Sequence, residues 1–138
     1  MGLWKMFLTK ECDYSIRIIR ALADGNKKTV EEICTSELIP YQYAYKIMKK
    51  MTRAGFVQGI RGRLGGYILS KPLDTFTIYD VVIAVDDNLF MFECLRPDRE
   101  CPHSIGANPC IVHAEFFRIQ KMVFDEMRGK TVSEVFSG

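Results

Sequence analysis

The sequence predicts a mostly α-helical fold with one small β-hairpin and a long C-terminal helix. Three observations lead there. Apolar residues recur at three- and four-residue spacing in the segments before residue 55. The pattern then switches to two short β-like runs around a glycine-rich tip. Last, a proline-scattered segment gives way to a long run of helical periodicity.

Thr9 is placed to cap a first helix, on which Tyr14, Ile18, Ala21 and Leu22 share a face, and Asp24-Gly25-Asn26 stops it. Thr29-Val30-Glu31-Glu32 reads as a capping box, in which hydroxyl and carboxylate satisfy each other's free amides, and it opens a short second helix. Pro40 suits the first turn of a third helix, where its missing N–H costs nothing. Ile47, Met48 and Met51 give that helix its apolar face, and Gly55 is placed to end it.

Phe56-Val57-Gln58-Gly59-Ile60 and Tyr67-Ile68-Leu69 flank Arg61-Gly62-Arg63-Leu64-Gly65-Gly66, which makes a hairpin with a flexible, cationic tip. Three helices followed by a basic hairpin is the layout of a winged helix-turn-helix. Thr77 then caps a fourth helix carrying Ile78, Val81, Val82 and Val85 on one side. Regularity is lost from Asp86 to Asn108, and so long an irregular loop in a compact domain is usually functional or disordered. Asn108 is expected to cap, and Pro109 to start, the long final helix. Its Phe116, Phe117, Ile119, Val123, Phe124 and Met127 form a stripe wider than a small monomer needs, so a homodimer is expected. Thr131-Val132-Ser133-Glu134 opens a last helical turn by the same capping box. The chain thus divides into a winged helix-turn-helix over 1–87, a cysteine-bearing sensor loop over 88–110, and a dimerisation helix with its tail over 111–138.

At 138 residues there is room for one core, and 48% hydrophobic with 26% charged residues is ordinary for a globular protein. No apolar stretch reaches the ~20 residues of a membrane span. The start has no signal-peptide apolar core, so a cytoplasmic protein is expected. The net charge of +2 hides a segregation. Between Glu37 and Asp74 there is no acidic residue, yet Lys46, Lys49, Lys50, Arg53, Arg61, Arg63 and Lys71 fall there. The remainder carries 12 basic and 17 acidic residues. A basic block in an otherwise acidic chain is the footprint of a polyanion site.

The third helix offers its N-terminal residues to base edges, with Gln42 suited to adenine and Tyr43 and Tyr45 to phosphate or thymine. Tyr43, four residues before Ile47, is equally open to a core role. Lys46, Lys49 and Lys50 suit phosphates. Arg61 or Arg63 suits the minor groove, whose narrowed negative potential favours a guanidinium. Double-stranded DNA is the partner this pattern points to.

Five cysteines is an odd number, which favours metal or thiol chemistry over a full disulfide framework. Cys94, Cys101 and Cys110 lie in or beside the irregular loop, with His113 one turn after Cys110. Placed in the first turn of the last helix, Cys110 would share a face with His113. Three thiolates and an imidazole fit zinc or an iron–sulfur cluster, and spacings of six and eight are not those of a zinc finger. Cys12 and Cys34 fit buried apolar positions.

These motifs resemble the IscR/NsrR/CymR family of dimeric winged-helix regulators. Leu8-Thr9-Lys10 with Asp13-Tyr14 is similar to the family's opening, after a short N-terminal extension. Ile39-Pro40-Tyr41-Gln42-Tyr43 matches the start of its recognition helix, and Arg61-Gly62-Arg63-Leu64-Gly65-Gly66-Tyr67 its wing. Asp80-Val81 through Ala84-Val85-Asp86 is similar to its fourth helix, and Cys110-Ile111-Val112-His113-Ala114 to its C-x-x-H-A segment. The resemblance implies a 2Fe-2S cluster held by Cys94, Cys101, Cys110 and His113, with 4Fe-4S as the alternative. Some members instead recruit an aspartate from the first helix, where Asp13 stands here, and one takes a ligand from the second helix, where Cys34 stands. Leu64 replaces a wing glycine, and Tyr45 stands where IscR-like members have an acidic residue, so a different DNA sequence is expected. The reading is a repressor of a palindromic operator that senses cluster status, redox or nitric oxide. The alternative is a cluster-free regulator working through thiol oxidation or a protein partner. With no phosphate loop and no nucleophile elbow, an enzyme is not expected.

Overall fold

A computed structural model describes residues 7–138; residues 1–6, which form most of the N-terminal extension, lie outside the described part. Helix α1 (Lys10–Ala21) buries Cys12, Ile18 and Ile19. Thr9 holds the N-cap position, but its hydroxyl donates to Cys12 Sγ at 3.4 Å and caps no amide. After α1 the chain turns through Gly25 at φ +79°, while the Asp24 carboxylate accepts the Asn26 amide at 2.9 Å. Helix α2 (Val30–Glu37) opens on the expected box: the Thr29 amide donates to Glu32 at 2.7 Å, and the Glu32 amide to Thr29 Oγ1 at 3.2 Å.

Helix α3 (Tyr41–Arg53) begins one residue later than expected, because Pro40 is extended (ψ 130°) and serves as the cap itself. Its end needs a left-handed residue, which Gly55 supplies at φ +81°. Gly55 N–H then bonds Thr52 C=O at 3.1 Å and Phe56 N–H bonds Met51 C=O at 3.0 Å, while Met51 and Phe56 are both buried.

Strands β1 (Val57–Ile60) and β2 (Gly66–Leu69) pair antiparallel, with Val57 opposite Leu69 and Ile60 opposite Gly66. Lys28 adds an isolated bridge to β2 by exchanging two backbone hydrogen bonds with Tyr67, at 3.0 and 2.8 Å. That approach is why Gly66 has no side chain: a Cβ there would sit 2.8 Å from the Lys28 carbonyl oxygen.

Helix α4 (Ile78–Val85) opens on a second box, Thr77 with Asp80, and buries Val81, Val82 and Val85. Helices α1, α3 and α4 enclose the core around Ile18, Ile47, Met48, Met51 and Val82. The C-terminal elements join the same core. Helix α5 (Ile111–Arg128) contributes Phe124 and α6 (Val132–Ser137), opened by the Thr131–Glu134 box, contributes Val132. The Val132 amide donates to Phe76 C=O at 2.9 Å, closing the tail onto the body.

Between α4 and α5 the chain has one 3-10 turn, Glu93–Leu95, anchored by buried Leu95. Buried Gln120 accepts the Met91 amide at 2.8 Å, and Phe92 packs edge-on against Phe116 at 4.4 Å, so this segment lies along α5. The start of α5 differs from expectation. Asn108 exchanges backbone hydrogen bonds with Ile105 across Gly106, so it cannot cap the helix; Cys110 is the N-cap and Pro109 lies outside. No helix of the described residues is long and apolar enough to cross a membrane.

Candidate nucleic-acid surface and metal centre

One face of α3 is spent on the core through Ala44, Ile47, Met48 and Met51. The 3.6-residue repeat therefore turns Gln42, Tyr45, Lys46, Lys49 and Arg53 outward, and all are exposed. Tyr43 is divided between its two roles: it packs on the Tyr14 ring at 5.8 Å yet remains 36% exposed. The Tyr45 hydroxyl shares a 2.7 Å hydrogen bond with that of Tyr41, which raises Tyr41 to about 12. Arg61 and Arg63 are exposed at the wing tip. Among the described residues, no carboxylate pairs with Lys49, Arg53, Arg61 or Arg63.

Two lysines of α3 behave differently. Glu11 on α1 pairs with Lys46 at 2.9 Å and with Lys50 at 2.8 Å. Lys50 also donates to the Val85 carbonyl at 2.8 Å, so its ammonium is turned into the α1–α4 junction and away from the outer face. The Lys50 and then the Lys46 ammonium hold the Glu11 carboxyl below its ordinary range. Two cations left out of the expected contact set stand on the nucleic-acid side, Arg53 of the basic block among them. Arg53 continues the outer row of α3, and Lys27 reaches the wing, where its ammonium bonds the Leu64 carbonyl. No local signal ties Lys27 to a loop 37 residues away.

The cysteine loop folds into an open cleft of about 850 Å³ lined by Cys94, Cys101, Cys110 and His113, with Phe92, Arg99 and His103 at its edges. The donor atoms of Cys94, Cys101 and His113 all lie within 4.8 Å of one another, and His113 Nδ1 is 3.4 Å from Cys94 Sγ. Three elements bring them together: the 3-10 turn presents Cys94, the turn closed by Ser104 N–H to Cys101 C=O presents Cys101, and the first turn of α5 presents His113. Cys110 lines the cleft just outside the tight trio. It is the N-cap of α5 and not a first-turn residue, three positions before His113, and both line the cleft.

The thiols differ. Partial desolvation, then the nearby Cys101, pushes the Cys94 thiol up. Desolvation pushes Cys101 up as well, but hydrogen bonds from the His103 amide, Ser104, Cys110 and Cys94 outweigh it and leave Cys101 below its ordinary value. Cys101 is thus the more acidic thiol of the two. Cys12 and Cys34 are buried in the helical body, and burial raises both. Asp13 is exposed on α1, pairs with Arg17 at 2.8 Å and lines no part of this cleft.

Helix α5 divides its apolar residues. Phe124 is buried against Tyr79, and Phe116, Ile119, Val123 and Met127 are half-buried. Ile111, Val112, Phe117 and Met122 stand open, at 83%, 55%, 51% and 56% exposure. Val112 and Met122 extend the stripe expected from periodicity, while Phe124 leaves it for the core.

A helix-turn-helix with a cationic outer face, a cationic wing and a cysteine cleft beside an apolar helix defines a winged-helix transcriptional regulator. The chain belongs to the Rrf2 family of iron-dependent transcriptional regulators, whose family model it matches over residues 8–138. It is 30% identical over 97 residues to the HTH-type transcriptional regulator NsrR of Bacillus licheniformis, covering 68% of each chain. Its fold is similar to that of CymR, the global cysteine regulator of B. subtilis, with a TM-score of 0.74 at 19% identity over 98% of both chains. It is also similar to T. potens IscR, with a TM-score of 0.72 at 15% identity over 99% of this chain and 88% of that one. The family and these relatives are transcriptional regulators, not enzymes.

Proposed function

We propose that this chain is a dimeric DNA-binding repressor whose affinity for its operator is set by an iron–sulfur cluster on Cys94, Cys101, Cys110 and His113. The observation that carries the reading is the convergence of three donors from three separate elements to within 4.8 Å. Sulfur and imidazole donors with one acidified thiol suit iron–sulfur ligation. The likeness to IscR-like regulators favours 2Fe-2S, with 4Fe-4S as the alternative. His113 is the preferred fourth donor, because neither Asp13 nor Cys34 lines the cleft. Bound there, the cluster would supply a redox-sensitive crosslink among the 3-10 turn, the loop and α5. The chain itself transmits the state: the 3-10 turn is tied through Met91 to Gln120 of α5, and the same segment begins where α4 ends.

On the DNA side, Gln42, Tyr43, Tyr45 and Lys49 form the contact set on α3, with Lys46 on the same row but paired with Glu11, and Arg61 and Arg63 form it on the wing. Lys50 is left out because its ammonium is already held by Glu11 and Val85. The open apolar residues of α5 meet those of a second copy, and twofold symmetry asks for a palindromic operator.

The test is purification without oxygen, followed by visible absorption and operator binding before and after iron removal. Cluster absorption that is lost in Cys101→Ala, with altered operator affinity, is the expected result. Protein that neither carries iron nor takes it up would sink the reading. The proximity of the Cys94 and Cys101 sulfurs favours one second reading, a metal-free thiol switch. It is distinguished by colourless protein whose operator affinity changes with peroxide and recovers with a thiol reductant.

A further inference from the structure

We infer that Glu11 is a positioning residue that withholds one recognition-helix cation from the phosphate backbone, so that fewer charges reach DNA than α3 carries. The inference rests on the DNA-binding reading above. Glu11 stands in the first turn of α1, and its two oxygens are divided: Oε1 takes Lys46 at 2.9 Å and Oε2 takes Lys50 at 2.8 Å. The two lysines sit one turn apart on α3, so a single carboxylate spans both.

The lysines are not equivalent. Lys50 is 34% exposed and has a second acceptor in the Val85 carbonyl, at the end of α4. It is the anchor. Lys46 is 65% exposed, has Glu11 as its acceptor, and lies on the outer row with Gln42 and Lys49. It is the exchangeable partner. A phosphate approaching that row must draw Lys46 away from Glu11, which stays behind as an anion 21% exposed at the base of the helix. The Coulomb cost of that exchange falls on every DNA sequence alike, because phosphates carry no sequence information.

The experiment measures binding of metal-free protein to a duplex of unrelated sequence across a salt series, by fluorescence anisotropy. Glu11→Gln keeps the shape and removes the charge. It is expected to tighten binding several-fold at low salt and to steepen the slope of log affinity against log salt by about 0.9, the increment for one more neutralised phosphate. Lys46→Gln alone should leave the slope nearly unchanged, and Glu11→Gln with Lys46→Gln should return it to the wild-type value. Lys46 is solvent-facing, so its variant tests the idea even where Glu11→Gln fails to fold. A full-unit loss of slope in Lys46→Gln, or equal slopes in wild type and Glu11→Gln, overturns the inference alone. Failure of the wild type to bind any duplex overturns the DNA-binding reading, and this inference with it.

Discussion

The helical body and the 86–110 segment use the same residue type in opposite ways. In the body, Cys12 and Cys34 are 1% and 8% exposed and behave as small apolar side chains. In the segment, Cys94, Cys101 and Cys110 are half-exposed and face one cleft. The body opens α2 and α4 on the boxes at Thr29 and Thr77 and fills its centre with side chains that have almost no exposure. The segment has two buried leucines, Leu89 and Leu95, one aromatic pair and one glutamine to hold it, and the helix it feeds starts, like α1 and α3, without a side-chain cap. Packing orders the first region. The second is held by fewer buried side chains and gathers its sulfur donors on one open cleft.

The largest expected effect tests that contrast directly. Ile47 is fully buried at the centre of α3, and Ile47→Ala should lower the unfolding free energy by about 3 kcal/mol, from lost transfer energy and the cavity left behind. Cys101→Ala in metal-free protein should change it by no more than about 0.5 kcal/mol, as for an ordinary surface change. Denaturant titration of both variants checks this. Similar losses would break the contrast.

Next in size is the tie between segment and helix. Gln120→Leu removes the acceptor of the Met91 amide while keeping the volume, leaving a part-buried N–H unpaired at a cost of about 2 kcal/mol. Hydrogen exchange should show Met91 losing protection while the α1–α3 amides keep theirs. Uniform loss across the chain would mean that segment and body unfold as one unit. On the DNA side, Arg61→Ala should weaken operator binding by about 1–3 kcal/mol if the guanidinium enters the minor groove. Lys49→Ala should weaken it evenly across sequences and flatten the salt dependence. Equal affinity for both variants and wild type would reject the outer face of α3 and the wing as the binding surface.

What was legible in the sequence is what local chemistry dictates. The boxes at Thr29 and Thr131 and the glycine end of α3 each depend on residues within one helical turn or so, and the hairpin on two short runs flanking one tip, Val57 pairing no farther than Leu69. The donor set was legible as composition: three cysteines and a histidine in a stretch too polar and broken to bury them. What stayed hidden depends on tertiary pairing. Lys50 reads as a phosphate contact until Glu11, 39 residues earlier, is seen to hold it. Asn108-Pro109 reads as a helix start until Ile105 takes up the Asn108 backbone groups. Arg128 lies 3.7 Å over the Tyr79 ring and ties α5 to α4, although nothing in either sequence neighbourhood points to the other.

The smallest effect concerns the same hidden pair. Lys50 foremost, and then Lys46, draws the Glu11 carboxyl below its ordinary 4.5. A carboxylate lowered in the folded state stabilises the fold above the unfolded value, and that contribution is lost as pH falls through the folded one. Because Lys46 is 65% exposed and Glu11 21%, solvent screening keeps the contribution below about 1 kcal/mol. Glu11→Gln removes it at every pH. The melting temperature of the wild type should therefore exceed that of the variant at pH 6, and the gap should shrink as the pH falls below 4.5 and the carboxyl takes up its proton, because protonated glutamic acid and glutamine are nearly isosteric and both neutral. A gap of constant size across that range would assign the difference to packing at the α1–α3 contact, and the charge of Glu11 would then contribute nothing to holding the recognition helix in place.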